Sequence, residues 1–423
     1  MLDIKLIRDN PDKVKQALLK RMDDVCFDDL LQWDSERRSL IASVEILKNE
    51  RNTTSAEIPK LKKEGKNVDD KLARMKSVGE EIANADKRIT ELDELIFNFM
   101  VGLPNLPDDD VAAGGKENNT VLHFWGEKPI QNFQIKNHVD LCVDHGLIDY
   151  TRGAKLSGSG YWIYKGLGAR LEWALINFFI REHLNNGYEF LLVPHILNYE
   201  CGFTAGQFPK FMEDDYWIDG GPSQTGKFLL PTAETALVNY HRDEILSCTE
   251  LPKKYFSYTP CFRREAGSAR TLERGMIRGH QFNKVELFQY AHPDKSAEAF
   301  SEIVKNAETL VQKLGLHYRL SKLAAGDVSF AMARTCDIEV WIPSMVIYQE
   351  ISSASNSNDF QARRGNIRFK DEEGKNRLVH TLNASGLATS RIIPALVEQN
   401  QQEDGSIIIP EVLRNDMGIE IIK

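Results

Sequence analysis

From Leu30 to Glu64 the chain contains no glycine and sets apolar side chains on steps of three and four: Leu30, Trp33, Leu40, Val44, Leu47, Ile58 and Leu61. Arg37, Arg51 and Thr54 fill gaps in the same register. That spacing lies along one stripe of an α-helix and makes a heptad seam. The pattern stops at Lys63-Glu64-Gly65-Lys66-Asn67, then resumes at Val68, Leu72, Met75, Ile82, Ile89 and Ile96 as far as Met100. Two helices of similar length joined by a glycine-bearing turn predict an antiparallel hairpin over residues 30–100. At about 1.5 Å per residue each helix spans roughly 45–50 Å, so the hairpin must project from any compact body. Gly79 and Asp86 fall where apolar residues would serve the seam better, and Pro59 should kink or shorten the first helix near the tip.

A projecting hairpin can be a spacer, a dimerisation device or a gripping surface, and its charge points to the last. Lys60, Lys62, Lys63, Lys66, Lys71, Arg74 and Lys76 stand against Glu64, Asp69 and Asp70, a local net of +4 in a chain of formal charge −9. The overall acidity argues against a general polyanion-coating protein, whereas a local basic tip suits a phosphate backbone. With 423 residues and 42% hydrophobic side chains the chain has room for a second, larger domain. The expected organisation is an N-terminal domain at 1–103, a linker rich in proline, glycine and acid at 104–125, and a mixed α+β body at 126–423. The start, MLDIKLIRDN, has charges where a signal peptide needs an apolar core, and no stretch is long enough to span a bilayer. A cytoplasmic chain without a membrane partner is expected. Cys26, Cys142, Cys201, Cys248, Cys261 and Cys336 are scattered, with no CxxC pair. Free thiols are the expected state, and spacing leaves open a zinc site assembled from distant cysteines.

A second segment, Tyr255 to Tyr290, reads YFSYTPCFRREAGSARTLERGMIRGHQFNKVELFQY. It begins as a strand through Phe256, Tyr258 and Phe262, turns through Ala266-Gly267-Ser268, and returns through His280 to Leu287, which predicts a hairpin. Side chains two apart share a face, so Arg278, His280, Phe282, Lys284 and Glu286 are expected on one side, completed by Arg263 and Glu265. Arginine forks bind phosphate bidentately and stay charged. With a stacking ring and two carboxylates around one loop, they can hold a nucleoside triphosphate. A solvated, salt-bridged hairpin accounts for any one of these residues singly and less well for all of them together.

This run resembles motif 2 of class II aminoacyl-tRNA synthetases, and that of seryl-tRNA synthetases in particular, without a gap from Arg263 to Glu286. The resemblance covers nearly the whole chain. It implies an antiparallel sheet flanked by helices, with the N-terminal hairpin gripping the long variable arm of tRNA(Ser) by shape. The helical pattern Gly168 to Ile180 and the short strand Tyr188 to Pro194 then correspond to motif 1, which implies a homodimer. Leu230-Pro231-Thr232-Ala233-Glu234-Thr235 carries the family's Thr-x-Glu, so Thr232, Ala233 and Glu234, with Arg263, Glu286 and Ser385, are the implied L-serine-binding residues.

Asp337 to Pro343 alternates as a half-buried strand, Ile347 to Ser353 as its return, and Glu350-Ile351-Ser352-Ser353 matches the family's ATP and metal site. Glu350 and Ser353 would hold Mg²⁺ beside the triphosphate. Their odd spacing prevents a plain strand from aiming both at one ligand, which predicts a bulge or use of main chain. Thr381 to Arg391, a strand end entering the helix from Ile392 to Gln399, resembles motif 3, which implies Arg391 on the γ-phosphate. The implied ATP-binding set is Arg263, Arg264, Glu265, Arg278, Gly279, Phe282, Glu350, Ile351, Ser352, Ser353 and Arg391, with Arg263, Arg278 and Arg391 catalytic. Phe282 would stack on adenine and Glu265 approach its amino group.

The chain departs from the family at Arg270-Thr271-Leu272-Glu273, in the loop that approaches the tRNA acceptor end. It departs again at Gly279, where valine is usual and glycine frees the backbone. Ala384 and Ser390 stand in place of glycines, which requires backbone adjustment if either position had positive φ. The expected activity is ATP-dependent attachment of serine to tRNA(Ser), with tRNA(Sec) a further candidate, through a seryl adenylate. The serine carboxylate attacks the α-phosphate, so positioning and electrostatics carry the rate without a general base. A non-catalytic RNA-binding paralogue would have lost Arg263, Glu350 or Arg391, and an amino acid to carrier-protein ligase should lack the long arm; all of these features are present.

Overall fold

The computed structural model describes residues 1–265 and 275–423. They divide into two compact units: Leu2–Leu19 with Asp23–Leu103, and Met1 with Lys20–Met22 and Pro104–Lys423. The altered tip from Arg270 to Glu273 lies outside the described residues.

In the first unit, helices α1 (Asp28–Lys63) and α2 (Asp69–Val101) form the hairpin. Asp28, Asp29, Asp69 and Asp70 occupy their first turns, and Lys60, Lys62 and Lys63 the last turn of α1, which complements the helix dipoles. The turn is closed by Gly65 at φ +70°, a left-handed conformation that glycine adopts without steric cost. At about 1.5 Å per residue the helices are roughly 54 and 50 Å long. α1 continues through Pro59, so the proline does not end it.

Most of the expected seam residues pack as expected, with Val78 and Ala85 in place of Gly79 and Asp86. Val44, Val78 and Ile82 are buried together, with Leu47, Met75, Ala85 and Ile89 packed against them, whereas Leu72 is 44% exposed. In α2 the buried stripe steps through Met75, Val78, Ile82, Ala85 and Ile89, one position before Gly79 and Asp86. Those two residues are therefore not defects in the seam. Ion pairs flank it, Arg88 with Glu36 at 2.7 Å and Arg74 with Glu50 at 2.9 Å; exposed pairs of this kind contribute little individually and fix partner and register.

The second unit is built on an eight-stranded sheet of β1 (Thr120–Trp125), β2 (Glu189–Phe190), β3 (Lys253–Phe262), β4 (Gln281–Ala291), β5 (Tyr318–Lys322), β6 (Arg334–Ile342), β7 (Ile347–Asn356) and β8 (His380–Ala388). The order is β1-β5-β6-β7-β8-β4-β3-β2, antiparallel throughout except for β2 beside β3. Helices α3 (Leu167–Asn185), α4 (Ser296–Lys313) and α6 (Thr389–Gln399) bury Leu171, Phe179, Ile303, Leu310, Ile392 and Leu396 against Val285, Leu287, Ile338, Val340 and Leu382. Alternation sends the neighbouring residues of β4 to the opposite face. There Phe288 and Tyr290 join a second core with Leu237, Val238, Ile367 and Phe369, beside the five-residue helix α5 (Phe360–Arg364). Earlier along β4, where that core gives way, the same face carries Phe282, Lys284 and Glu286.

Two expectations need correction. The segment expected as a linker is pinned to the second unit: Asn105 donates from its amide side chain to Ala331 O (2.9 Å) and Ser357 O (2.7 Å), and Thr120–Trp125 is an edge strand. The strand expected from Tyr188 to Pro194 is ladder-paired only at Glu189 and Phe190. The six cysteines are free thiols. Among the described residues no helix is long and apolar enough to cross a membrane.

Candidate active site

The hairpin of β3 and β4 pairs Phe262 with Gln281, Cys261 with Phe282, Thr259 with Lys284 and Ser257 with Glu286. Because β4 begins at Gln281, the row of five expected on one face is reduced to Phe282, Lys284 and Glu286. His280 turns instead against Tyr161, ring centroids 5.3 Å apart, with its Nδ1 3.1 Å from Arg263 O. Arg263, just past β3, donates from Nε to Pro231 O at 3.3 Å, and its guanidinium stands 5.3 Å from the centre of the Phe282 ring. Glu265 takes φ +49° and is ion-paired with Arg278. Arg264 is directed elsewhere, donating to Glu213 O at 3.1 Å, and is absent from the lining of the cleft.

Gly279 owes its place to space. A Cβ there would overlap the Trp162 ring, and its φ is not in the positive region. The expectation that glycine frees the backbone is therefore replaced by a packing reason. Ala384 and Ser390 also lie outside the positive-φ region, so neither strains the chain.

Deeper in the trough, Thr232 and Glu234 meet through a turn rather than an extended segment: Glu234 opens the short helix to Leu237 and its N–H is 3.3 Å from Thr232 Oγ1. Lys284 donates to Thr232 Oγ1 at 2.7 Å and pairs with Glu286. Asn383 donates to Glu286 Oε1 at 3.0 Å and to Glu234 Oε2 at 3.2 Å, and Gln361 on α5 donates to Glu234 Oε1 at 2.8 Å. The carboxyls of Glu234 and Glu286 thus share the Lys284 ammonium, with Arg263 bordering the same space. Burial, and then the neighbouring Glu286, push Glu234 up to about 7. Ala233 is wholly buried and serves the second core.

Of the two arrangements the spacing of Glu350 and Ser353 allowed, a bulge is the one present. Ile338 pairs with Ser352 and Glu339 with Glu350, which leaves Ile351 as the extra residue. Ser353 Oγ consequently reaches both Asp337 Oδ1 (2.6 Å) and Glu350 Oε1 (3.3 Å). Ser352 instead donates to Ser385 O at 2.6 Å, tying β7 to β8. Arg391, in the first turn of α6, holds Glu350 Oε1 at 2.9 Å and Glu350 O at 3.1 Å. Burial raises the Asp337 carboxyl well above its usual range and Glu350 adds to this, whereas at Glu350 the charges of Arg391 and Arg263 outweigh burial and hold it low.

Among the described residues no three His, Cys, Asp or Glu side chains are grouped to hold a metal unaided. Mg²⁺ is commonly held by one or two carboxylates plus substrate phosphates, and Asp337, Glu350 and Ser353 fit that partial set.

These groups line two adjoining spaces. A cleft bordered by Glu265, Ile277, Arg278, Gly279, Phe282, Ile351 and Ser390 lies on one side. A cavity of about 430 Å³ on the other includes Thr232, Glu234, Glu286, Asn383, Asp337 and Ser353 and extends past Phe211 and Phe330. Arg263, Lys284, Glu350, Ser385 and Arg391 line both. Sequence reasoning placed Lys284 on this face without giving it a role; period two from Phe282 and Glu286 was the available signal. Asn383, two residues before Ser385 on β8, had a similar signal. Gln361 and Asp337 had none, since their partners come from distant segments.

Residues 216–400 match the family model of the tRNA synthetase class II core domain (G, H, P, S and T), and residues 1–107 that of the seryl-tRNA synthetase N-terminal domain. The chain is 58% identical to serine–tRNA ligase 2 of Clostridium acetobutylicum over 99% of each chain. Its structure is similar to a seryl-tRNA synthetase of Pyrococcus horikoshii complexed with ATP (TM-score 0.94, 36% identity, 100% of this chain and 99% of that one). It is also similar to a cytoplasmic serine–tRNA ligase of Naegleria fowleri in complex with AMP (TM-score 0.88, 26% identity, 100% and 99%). Likeness of this degree, sustained from the helical arm to the last strand, makes the chain a member of the seryl-tRNA synthetase family.

Proposed function

We propose that the chain activates L-serine with ATP and transfers it to tRNA(Ser). The carrying observation is the pair of adjoining spaces that share Arg263, Lys284, Glu350, Ser385 and Arg391, because adenylation requires a carboxylate and an α-phosphate to meet between two otherwise separate binding sites. ATP occupies the cleft, its adenine on Phe282 and its phosphates at Arg263, Arg278 and Arg391. Serine occupies the inner cavity, its ammonium at Glu234 and its hydroxyl within reach of Thr232, Glu286 and Ser385. A pocket built to bind that hydroxyl rejects an analogue lacking it.

The serine carboxylate is already an anion at neutral pH and needs no base. Arg263, at the boundary of the two spaces, stabilises the charge that develops on the α-phosphate as the new C–O–P bond forms and pyrophosphate leaves. Arg278 and Arg391 are paired with Glu265 and Glu350, so phosphates entering the cleft exchange one carboxylate partner for a polyanion. That exchange releases Glu350, and with Asp337 and Ser353 it would hold Mg²⁺, which supplies countercharge to the triphosphate. The outer part of the cavity leaves room for the terminal ribose of tRNA beside the adenylate.

The helical arm is proposed to bind tRNA. Lys60, Lys62 and Lys63 are exposed at its tip, whereas Lys66, Lys71 and Arg74 are engaged by Glu64, Glu57 and Glu50. A homodimer through α3 is supported by the exposed Trp173 (54%) and Leu184 (50%), which sedimentation would test. ATP–pyrophosphate exchange with serine, threonine, alanine and glycine tests the main reading: exchange is expected with serine at least about 10³-fold above alanine, and its absence with serine overturns the assignment.

A further inference from the structure

On the back of the sheet α3 carries Glu172, an acid only 3% exposed in a region otherwise packed with apolar side chains. Its Oε1 accepts from Asn283 Nδ2 at 2.7 Å and from Thr389 Oγ1 at 2.6 Å. Asn283 lies between Phe282 and Lys284 on β4 and points away from the substrate face. Its own Oδ1 accepts from the Tyr258 hydroxyl at 3.2 Å, which orients the amide. Thr389 is the first residue of α6, two before Arg391. One carboxylate oxygen thus joins the strand that carries the ring and ammonium of the site to the helix that carries its phosphate arginine.

We infer that Glu172 is a positioning residue for nucleotide binding, setting Phe282 and Arg391 relative to each other through Asn283 and Thr389. The inference rests on the reading that those two residues hold ATP.

The chemistry favours this over simple packing. A buried carboxylate is costly unless charge or hydrogen bonds compensate it. The groups acting on Glu172 are all neutral: Thr389, Asn283 and the phenol of Tyr164. Its Oε2 and the Tyr164 hydroxyl both lack a partner of normal hydrogen-bond geometry. Burial accordingly pushes Glu172 up to about 7. An apolar side chain would fill the space more cheaply and would leave the Asn283 amide and the Thr389 hydroxyl without their shared acceptor.

The test compares full-length Glu172→Ala, Glu172→Gln and Thr389→Val. Two readouts are used: KM values in serine-dependent exchange, and the ATP concentration giving half-maximal thermal stabilisation, which needs no amino acid. Glu172→Ala is expected to raise both ATP values by about tenfold while leaving the serine KM within about twofold. Glu172→Gln keeps an acceptor at Oε1 and should restore ATP binding to within about threefold of wild type. Thr389→Val, which at constant size removes the bond to Glu172 and a longer one to Asn283 O (3.3 Å), should raise the ATP values by about threefold to tenfold. Unchanged ATP values in a cooperatively folded Glu172→Ala, or equal weakening of ATP and serine, overturn the inference. If Glu172→Ala does not fold, Thr389→Val decides by the same criterion. Failure of the wild type to exchange with serine would overturn the functional reading instead, and the ATP-dependent melting would still decide this one.

Discussion

The helical arm and the trough on the sheet are held together by opposite means. The arm's seam is built from neighbours along two helices, Val44 against Val78 and Ile82, with exposed ion pairs on its flanks. The trough has near pairs, Thr232 with Glu234, Lys284 with Glu286 and Ser353 with Glu350, but is closed from remote segments: Glu234 is held by Gln361 and Asn383, Lys284 by Thr232, and Glu350 by Arg391. The arm should therefore be removable without harm to chemistry, whereas single changes in the trough should propagate. Arg263→Ala tests the second half of this contrast most strongly. Loss of a charge-stabilising arginine should lower kcat/KM for serine-dependent exchange by about 10³- to 10⁴-fold, and tRNA charging should fall with it. Exchange retained within about tenfold would remove Arg263 from the role given to it.

Replacing residues 30–100 by a short linker tests the first half. Charging should fall by about 10³-fold or more through lost phosphate and shape contacts, with exchange kept within about twofold. Charging that survives the deletion would deny the arm its part in tRNA binding, and exchange that collapses would show that the two regions are not independent.

The same contrast explains what could be read from the sequence. The arm's period was legible because it is local, yet it placed Gly79 and Asp86 in the seam where Val78 and Ala85 do the packing. The β3–β4 hairpin was legible from alternation, and the odd spacing of Glu350 and Ser353 pointed to a bulge or to main chain, of which the bulge is found at Ile351. Gly279 was misread because the ring it makes room for, Trp162, belongs to another segment. Arg264 carries the right charge for ATP, but nothing local showed that its side chain would turn to Glu213. Partners chosen by tertiary contact, such as Gln361 for Glu234, have no signature in one sequence.

A milder change divides the arm itself. Lys60, Lys62 and Lys63 replaced together by serine should raise the tRNA KM by about tenfold and reduce the salt dependence of binding by about two to three counterions, with exchange unaltered. Serine substitutions at Lys66, Lys71 and Arg74, already paired with Glu64, Glu57 and Glu50, remove the same number of charges and should do less. Equal effects from both sets would mean that the tip acts by net charge alone.

The smallest expected effect concerns the ionisation of Glu234 in the trough. Glu234 is raised to about 7 by burial and by Glu286, above its value in an unfolded chain. Its contribution to stability is therefore fully present below the unfolded value near pH 4.5 and lost as pH rises through 7. A serine ammonium beside it reverses part of that loss and binds best to the ionised acid. Serine should bind about tenfold more weakly at pH 6 than at pH 8, and at a fixed concentration its thermal stabilisation should be smaller at pH 6 by about 1 kcal/mol, a few degrees at most. Glu234→Gln should abolish the difference, because an amide has no proton to lose in that range. If the variant kept the full pH dependence, the titrating group would be another acid raised to about 7, such as the buried Asp215 near Arg263, and the serine ammonium would not be held by Glu234.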